Sequence, residues 1–223
     1  MKRIVLDSSA LISLSESCVA SCLKFLKEKN SIEFLAPQRV YDECVTRPLG
    51  IKQYGFSALR IKRLFLEGIV KITEVDGKEV ELFLNAANNI YRVDGKPLEL
   101  IQRGEAECVV LMKKADCLVI DEKTLRLLVE SPKKMEELLK SEYGKIVGVD
   151  GNYLVKMQQM TRGIKILRSA EILTIATKQK YFASYMQDET EAGRFGIFAL
   201  RGFGCSLTKE ELIEFENLNM VGR

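Results

Sequence analysis

Lys2-Arg-Ile-Val-Leu6-Asp7-Ser8-Ser9-Ala10-Leu11-Ile12-Ser13-Leu14 is the stretch that decides the fold. A short apolar run ends at an acid and two serines. Behind them Leu11, Ile12, Leu14, Val19, Cys22, Leu23, Phe25 and Leu26 recur at helical spacing. That reads as strand, turn, helix, and the same alternation continues downstream. Residues 32–36 form a second strand. A helix begins after Pro37, whose ring suits a first turn, carries Val40, Tyr41, Cys44 and Val45 on one stripe, and stops at Pro48. Residues 56–67 read as a third helix, 70–75 as a third strand and 80–91 as another helix. Gly104 opens a helix to about Lys114, 118–120 make a fourth strand, 132–142 a polar helix, and 145–149 a fifth strand at the sheet edge. Strands alternating with helices predict an α/β fold with a mostly parallel five-stranded sheet covered on both faces.

Beyond Asp150 the pattern turns helical, over about 153–161, 169–186 and 208–217. A Gly- and Phe-rich stretch, residues 193–204, joins the last two helices. No linker of Pro, Ser or charge separates the halves. Residues 151–223 are therefore expected as a helical extension packed on a core formed by residues 1–150.

Composition excludes several chemistries. The 223 residues contain no histidine, so neither a Ser-His-Asp triad nor a Cys-His dyad can be assembled. The six cysteines sit mostly among Val, Leu and Ala, as buried thiols do. Cys18 and Cys22 have no second pair at zinc-like spacing. With 47% hydrophobic and 29% charged residues, disorder is confined to the termini. No apolar run approaches the roughly 20 residues that cross a bilayer, and the opening segment reaches an acid too soon for a signal peptide. The expectation is a cytoplasmic protein without a membrane partner. A net charge of +3 leaves nucleic-acid attraction to local clusters: Arg60, Lys62 and Arg63; Lys133 and Lys134; Arg162, Lys165 and Arg168. Phe195, Phe198 and Phe203, beside Arg194 and Arg201, are either core residues or surfaces for stacking unpaired bases.

Four acids, Asp7, Glu43, Glu105 and Asp121, stand just after or inside separate elements. Two of them, Asp7 and Asp121, directly follow strand runs, where open parallel sheets place their sites. Carboxylates gathered from several elements are oxygen ligands of the kind Mg²⁺ or Mn²⁺ takes, whether one ion or two. Each position also has a plain alternative. Asp7 is a favoured helix cap, Asp42 offers the same charge as Glu43, and Asp121 could cap the helix that begins near Lys123. Glu105 and Glu107 point about 200° apart on one helix, so a single inward direction takes one of them. Glu105 shares its face with Cys108, Val109 and Met112 and is preferred, with Glu107 as an outer ligand. Asp150 is the competitor after the fifth strand.

The pieces Ile4-Val-Leu-Asp7-Ser8-Ser9-Ala10-Leu11-Ile12, Pro37-Gln-Arg-Val40-Tyr-Asp-Glu43, Gly104-Glu105-Ala106-Glu107 and Leu118-Val-Ile-Asp121-Glu-Lys-Thr124-Leu-Arg126 resemble, in order and spacing, the motifs of PIN-domain nucleases. The resemblance covers about residues 1–150. The stretch Ile166-Leu-Arg168-Ser169-Ala-Glu171-Ile172 is similar to one that follows the core in some archaeal members. The resemblance implies a three-layer α/β/α sandwich and an endoribonuclease whose acids bind Mg²⁺ or Mn²⁺. By position, Asp7 is the first carboxylate with Ser8 or Ser9 as the hydroxyl after it, Glu43 the glutamate of the second helix, Glu105 the third acid and Asp121 the last. Two positions depart from the pattern: Glu stands at 105 where many members have Asp, and Ile120 replaces a small hydroxyl. Family members are often dimers and work with an antitoxin or with RNA-processing partners. At 223 residues this chain exceeds the compact toxins, which sets a processing enzyme level with a toxin. Two other readings are a PIN-like module that binds RNA or protein without cutting, and a phosphatase or small-molecule hydrolase. The last lacks a Gly-rich phosphate cradle.

Overall fold

A computed structural model describes residues 1–184 and 186–220. In chain order the first half runs β1 (Lys2–Leu6), α1 (Ser8–Glu16), α2 (Ser21–Asn30), β2 (Ile32–Ala36), α3 (Gln38–Tyr41), a π turn (Asp42–Thr46), α4 (Gly55–Leu66), β3 (Val70–Ile72), α5 (Gly77–Asn88), β4 (Tyr91–Val93) and β5 (Lys96–Pro97). The second half runs α6 (Arg103–Leu111), β6 (Cys117–Val119), α7 (Lys123–Glu130), α8 (Pro132–Tyr143), β7 (Val147–Val149), α9 (Gly151–Met160), β8 (Ile166–Leu167), α10 (Ser169–Lys178), α11 (Glu189–Gly202) and α12 (Lys209–Met220). The α/β class and the five-stranded parallel sheet expected from the sequence are both present.

The sheet order is β3-β2-β1-β6-β8. β1 lies at its centre, and Ile4, Val5 and Leu6 are buried, as a strand covered on both faces requires. Right-handed crossovers send the first connections along one face and the later ones along the other. The helix pairings agree with that layering: α1 packs on α4 and α10 and α10 on α2, whereas α5 packs on α6 and α9. The chain leaves β1 toward β2, while β6 lies on its other side. The topological switch point is therefore the crevice beyond the ends of β1 and β6.

Several expected elements are corrected. The fifth strand is not residues 145–149. That segment, as β7, pairs antiparallel with β4 in a separate three-stranded sheet, and β8 closes the main sheet beside β6. The strand at the end of the expected 80–91 helix is β4, and the helix itself ends at Asn88. Because β8 comes from beyond residue 150, the expected extension supplies part of the sheet as well as helices. The long first helix is two helices meeting at 109°, with Cys18 at the bend in a left-handed conformation (φ 58°). The expected 169–186 helix ends at Lys178, and a 3₁₀ turn, Tyr181–Ser184, follows. Tyr185 lies outside the described residues.

The Gly- and Phe-rich stretch is mostly helix, not a joining loop. A Cβ on Gly193 would stand 2.6 Å from Thr177 Cγ2, and one on Gly196 2.7 Å from Leu173 Cδ2. These glycines let α11 approach α10 closely. Among the described residues no single helix is long and apolar enough to cross a membrane.

Candidate metal centre

Asp7 leaves β1 held by its backbone N–H, which donates to the Val119 carbonyl at 3.0 Å and ties the ends of β1 and β6 together. Its carboxyl caps α1: Oδ2 accepts from the Ser9 N–H at 3.0 Å and from the Ser9 hydroxyl at 2.7 Å. The same hydroxyl accepts from the N–H groups of Asp121 and Glu122, at 3.0 and 3.3 Å. Ser9 is thus the knot of the crevice, and its single proton is committed to Asp7. The helix-cap reading of Asp7 and its place in the site are both realised. On its other oxygen, Asp7 faces the Cys108 thiol at 3.8 Å.

Glu43 reaches the crevice from the π turn, where Arg47 N–H bonds the Asp42 carbonyl five residues back. Such turns are frequent at functional positions. Arg39, one turn earlier, holds the Glu43 carboxylate at 3.1 Å. The carboxylate lies against the first turn of α6, where a Cβ on Gly104 would meet Glu43 Oε2 at 2.7 Å. Only glycine leaves that space. Glu105, one residue on, turns its own Oε2 back to the Gln102 N–H at 2.8 Å, half of a capping box.

Asp7, Ser8, Ser9, Glu43, Gln102 and Glu105 line one cavity of about 330 Å³, together with Leu100, Glu122 and Thr124. Three of the four expected acids therefore meet at one place. The fourth does not line it. Asp121 is fully buried (0% exposed), and its two oxygens accept from Ser169 N–H at 2.7 Å and Ser169 Oγ at 2.6 Å, across the start of α10. Glu122 takes its place at the cavity wall and also caps α7, where Thr124 N–H and Oγ1 donate to it at 2.6 and 2.7 Å. Sequence reading missed Glu122 because two adjacent acids leave a strand end on different sides, and only the surrounding donors decide which side is the crevice. Gln102 and Gly104 were also missed. The signal for the glycine was its position next to an acid in a first turn. Of the other candidates, Glu107 is paired with Arg103 at 3.2 Å, and Asp150 caps α9 at the end of β7.

Crowding shows in the electrostatics. Burial pushes the Asp7 carboxyl above the usual range, the hydrogen bonds from Ser9 and Ser8 pull it back, and the charge of Glu43 adds to the rise. Glu105 is pushed up to about 8, first by burial, with the charges of Asp7, Glu122 and Glu43 added and the Gln102 N–H opposing. The thiols of Cys44 and Cys108 are raised well above the ordinary cysteine range by burial and by the neighbouring acids, so they remain protonated. The donor set is therefore carboxylate oxygen, which suits a hard divalent cation, and the mutual repulsion is of the kind such a cation relieves. Among the described residues, no group of three or more acids or thiols is placed to hold a metal ion; the carboxylates line one cavity with some of their oxygens turned to Ser9, Arg39, Gln102 and Thr124. The chain matches no model of a known protein family, no curated protein and no solved structure.

Proposed function

We propose that this chain is a divalent-metal-dependent endoribonuclease of the PIN-domain kind, hydrolysing RNA phosphodiester bonds at the crevice beyond β1 and β6. The observation that carries this reading is that Asp7, Glu43 and Glu105, from three separate elements, line one cavity at the topological switch point. Asp7, Glu43 and Glu105, with Glu122 where Asp121 was expected, are the residues that would hold Mg²⁺ or Mn²⁺. A cation bound there would acidify a coordinated water and offset charge developing on a phosphate. The protein's own part is positioning. Ser9 fixes the Asp7 carboxyl, Gly104 makes room for that of Glu43 while Arg39 holds it, and the Gln102 N–H orients Glu105.

The test is cleavage of a single-stranded RNA with Mn²⁺ by the wild type and by Asp7→Asn. Asp7→Asn is expected to lose more than the roughly 100-fold that removal of a residue supporting a metal ligand costs; equal activity in the two proteins removes the reading. One observation favours a second reading, a PIN-like module that binds RNA or protein without cutting: among the described residues no group of three or more acids or thiols is placed to hold a metal ion. Calorimetry separates the two readings, because RNA binding with no uptake of Mn²⁺ supports the second.

A further inference from the structure

Between Glu43 and Glu67 the chain carries five cations, Arg47, Lys52, Arg60, Lys62 and Arg63, and no acid. The same segment leaves Phe56 73% and Tyr54 50% exposed, with Leu49, Ile51 and Leu59 also at the surface. Tyr54 and Phe56 line one groove together, so their exposed rings form a single apolar surface rather than scattered side chains. The Arg60 guanidinium lies 5.5 Å from the centroid of the Phe56 ring. Its Nε is buried without a hydrogen-bond partner, while its other nitrogens reach Glu16 at 3.4 Å and the Cys18 thiol at 3.5 Å.

Beside this platform runs a groove of about 600 Å³, lined among others by Ile12, Cys44, Tyr54, Phe56 and Arg60, with Glu16, the partner of Arg60, as its one acid. Its near end adjoins the acidic cavity. Cys44 follows Glu43 and its thiol faces the Ser8 carbonyl at 3.7 Å, and Ile12 stands one turn of α1 beyond Ser8. Arg60 also borders a hollow of about 350 Å³ shared with Lys24, Arg63 and Glu67, so three cations stand there against one acid, which Arg63 pairs.

We infer that this face is the track along which a single RNA strand lies as it enters or leaves the acidic cavity. Bases stack on Phe56 and Tyr54, and phosphates meet Arg60, Arg63 and Lys24. Sequence-tolerant binding of single strands is built from these two ingredients, aromatic platforms and a positive groove. The inference rests on the nuclease reading, because phosphodiester chemistry in the cavity is what makes RNA the occupant. Another exposed aromatic surface, around Phe195 on α11, borders a cavity of about 720 Å³ that Asp188 and Glu191 line with no lysine or arginine among the lining residues to offset them, so it repels phosphate. An uncharged protein partner would explain the apolar residues but not the excess of cations, Lys24, Arg60 and Arg63 against Glu16 and Glu67, on a face that adjoins an acidic cavity through Cys44 and Ser8.

The experiment is fluorescence anisotropy with a labelled single-stranded RNA 12-mer in EDTA, which stops metal-dependent cleavage, over a series of salt concentrations. Phe56→Ala and Arg63→Glu are both at exposed positions and are checked by thermal melting; Lys78→Glu, exposed at the start of α5, is the control. Phe56→Ala is expected to weaken binding about five- to tenfold. Arg63→Glu should make the slope of log K against log salt shallower by about 0.7 for each phosphate that the variant no longer neutralises, and the control should match the wild type. Wild-type binding in both track variants overturns the inference. So does a wild type that binds no RNA, or a Phe56→Ala protein that loses only self-association in sedimentation. Cleavage is read separately. Track-dependent binding without Mn²⁺-dependent cleavage removes the nuclease reading and keeps the track, whereas cleavage with track-independent binding does the reverse.

Discussion

Gly104 and Glu43 show how one missing methyl group sets a site. The Glu43 carboxylate occupies the space where any other residue at 104 would place its Cβ. Since the group that must move is the end of a flexible side chain, Gly104→Ala is expected to leave stability almost unchanged. Alanine's better helix propensity, worth up to about 1 kcal/mol, offsets the small strain. The Glu43 carboxylate would be displaced, so Mn²⁺ binding measured by calorimetry should weaken at least severalfold while the melting temperature holds. Glu105 titrates differently. Its folded pKa of about 8 lies above the ordinary glutamate value near 4.5, so the folded protein binds the proton more tightly than the unfolded chain. Stability of the metal-free protein is therefore highest below about pH 4.5 as far as this group is concerned, falls as pH rises toward 8, and levels off above it. Asp7, also raised, contributes in the same direction. Urea unfolding in EDTA at pH 5.5 and 8 should show that decline, and Glu105→Gln should reduce it. Saturating Mn²⁺ should stabilise the protein more at pH 8 than at pH 5.5, because a cation favours the ionised carboxylates.

At the scale of elements, the helices that carry the site owe their placement to interruptions as much as to pattern. The π turn at Asp42–Thr46 breaks the helix that began after Pro37, keeps Cys44 and Val45 in the core and still delivers Glu43 to the crevice. Nothing in apolar periodicity announces an extra residue per turn. Residues 193–204 read as a joining stretch for a related reason, because glycine is both a loop former and the residue that admits a close helix neighbour. On α11 the second use wins. Thr177 is β-branched and has its hydroxyl bonded to the Leu173 carbonyl at 2.9 Å, so it cannot easily yield to a Cβ at 193. Gly193→Ala is accordingly expected to destabilise by about 1–3 kcal/mol through overpacking, despite its gain in helix propensity, with urea denaturation as the measurement. A neutral or stabilising result would mean that α11 does not sit so close to α10.

For the molecule as a whole, Asp121 is the residue that joins sheet to C-terminal helices. Its side chain receives the start of α10, and its carbonyl accepts from Ser206 N–H at 3.1 Å. The Ser206 carbonyl in turn accepts from Arg126 and Arg168, at 3.3 and 3.2 Å. Burial works against the charge of Arg168, yet its bonds and charge pairing with Glu171 and then Glu211 outweigh this and push its pKa up. The strand end after β6 thereby anchors β8, α10 and α12 together. Asp121→Ala leaves the Ser169 N–H and hydroxyl buried without an acceptor, at roughly 1–3 kcal/mol for each group, so a loss of about 3 kcal/mol is expected in denaturant unfolding. Glu122→Gln should change stability far less and Mn²⁺ binding far more; the opposite pattern would return Asp121 to the site.

How much of this was legible follows from which forces are local. The alternation of strands and helices, and the place of Asp7 at a strand end, were determined by the sequence alone, because burial periodicity acts over short stretches of chain; that Glu43 and Glu105 would meet Asp7 was what the resemblance of their motifs implied. Tertiary structure alone decided that β8 closes the sheet while β7 joins β4. These strands are two or three residues long, with too little pattern to choose a partner until the intervening helices have packed. It also decided that Glu122 rather than Asp121 faces the cavity. The choice depends on hydrogen-bond donors, and those that take Asp121 come from Ser169, far along the chain and close only after folding.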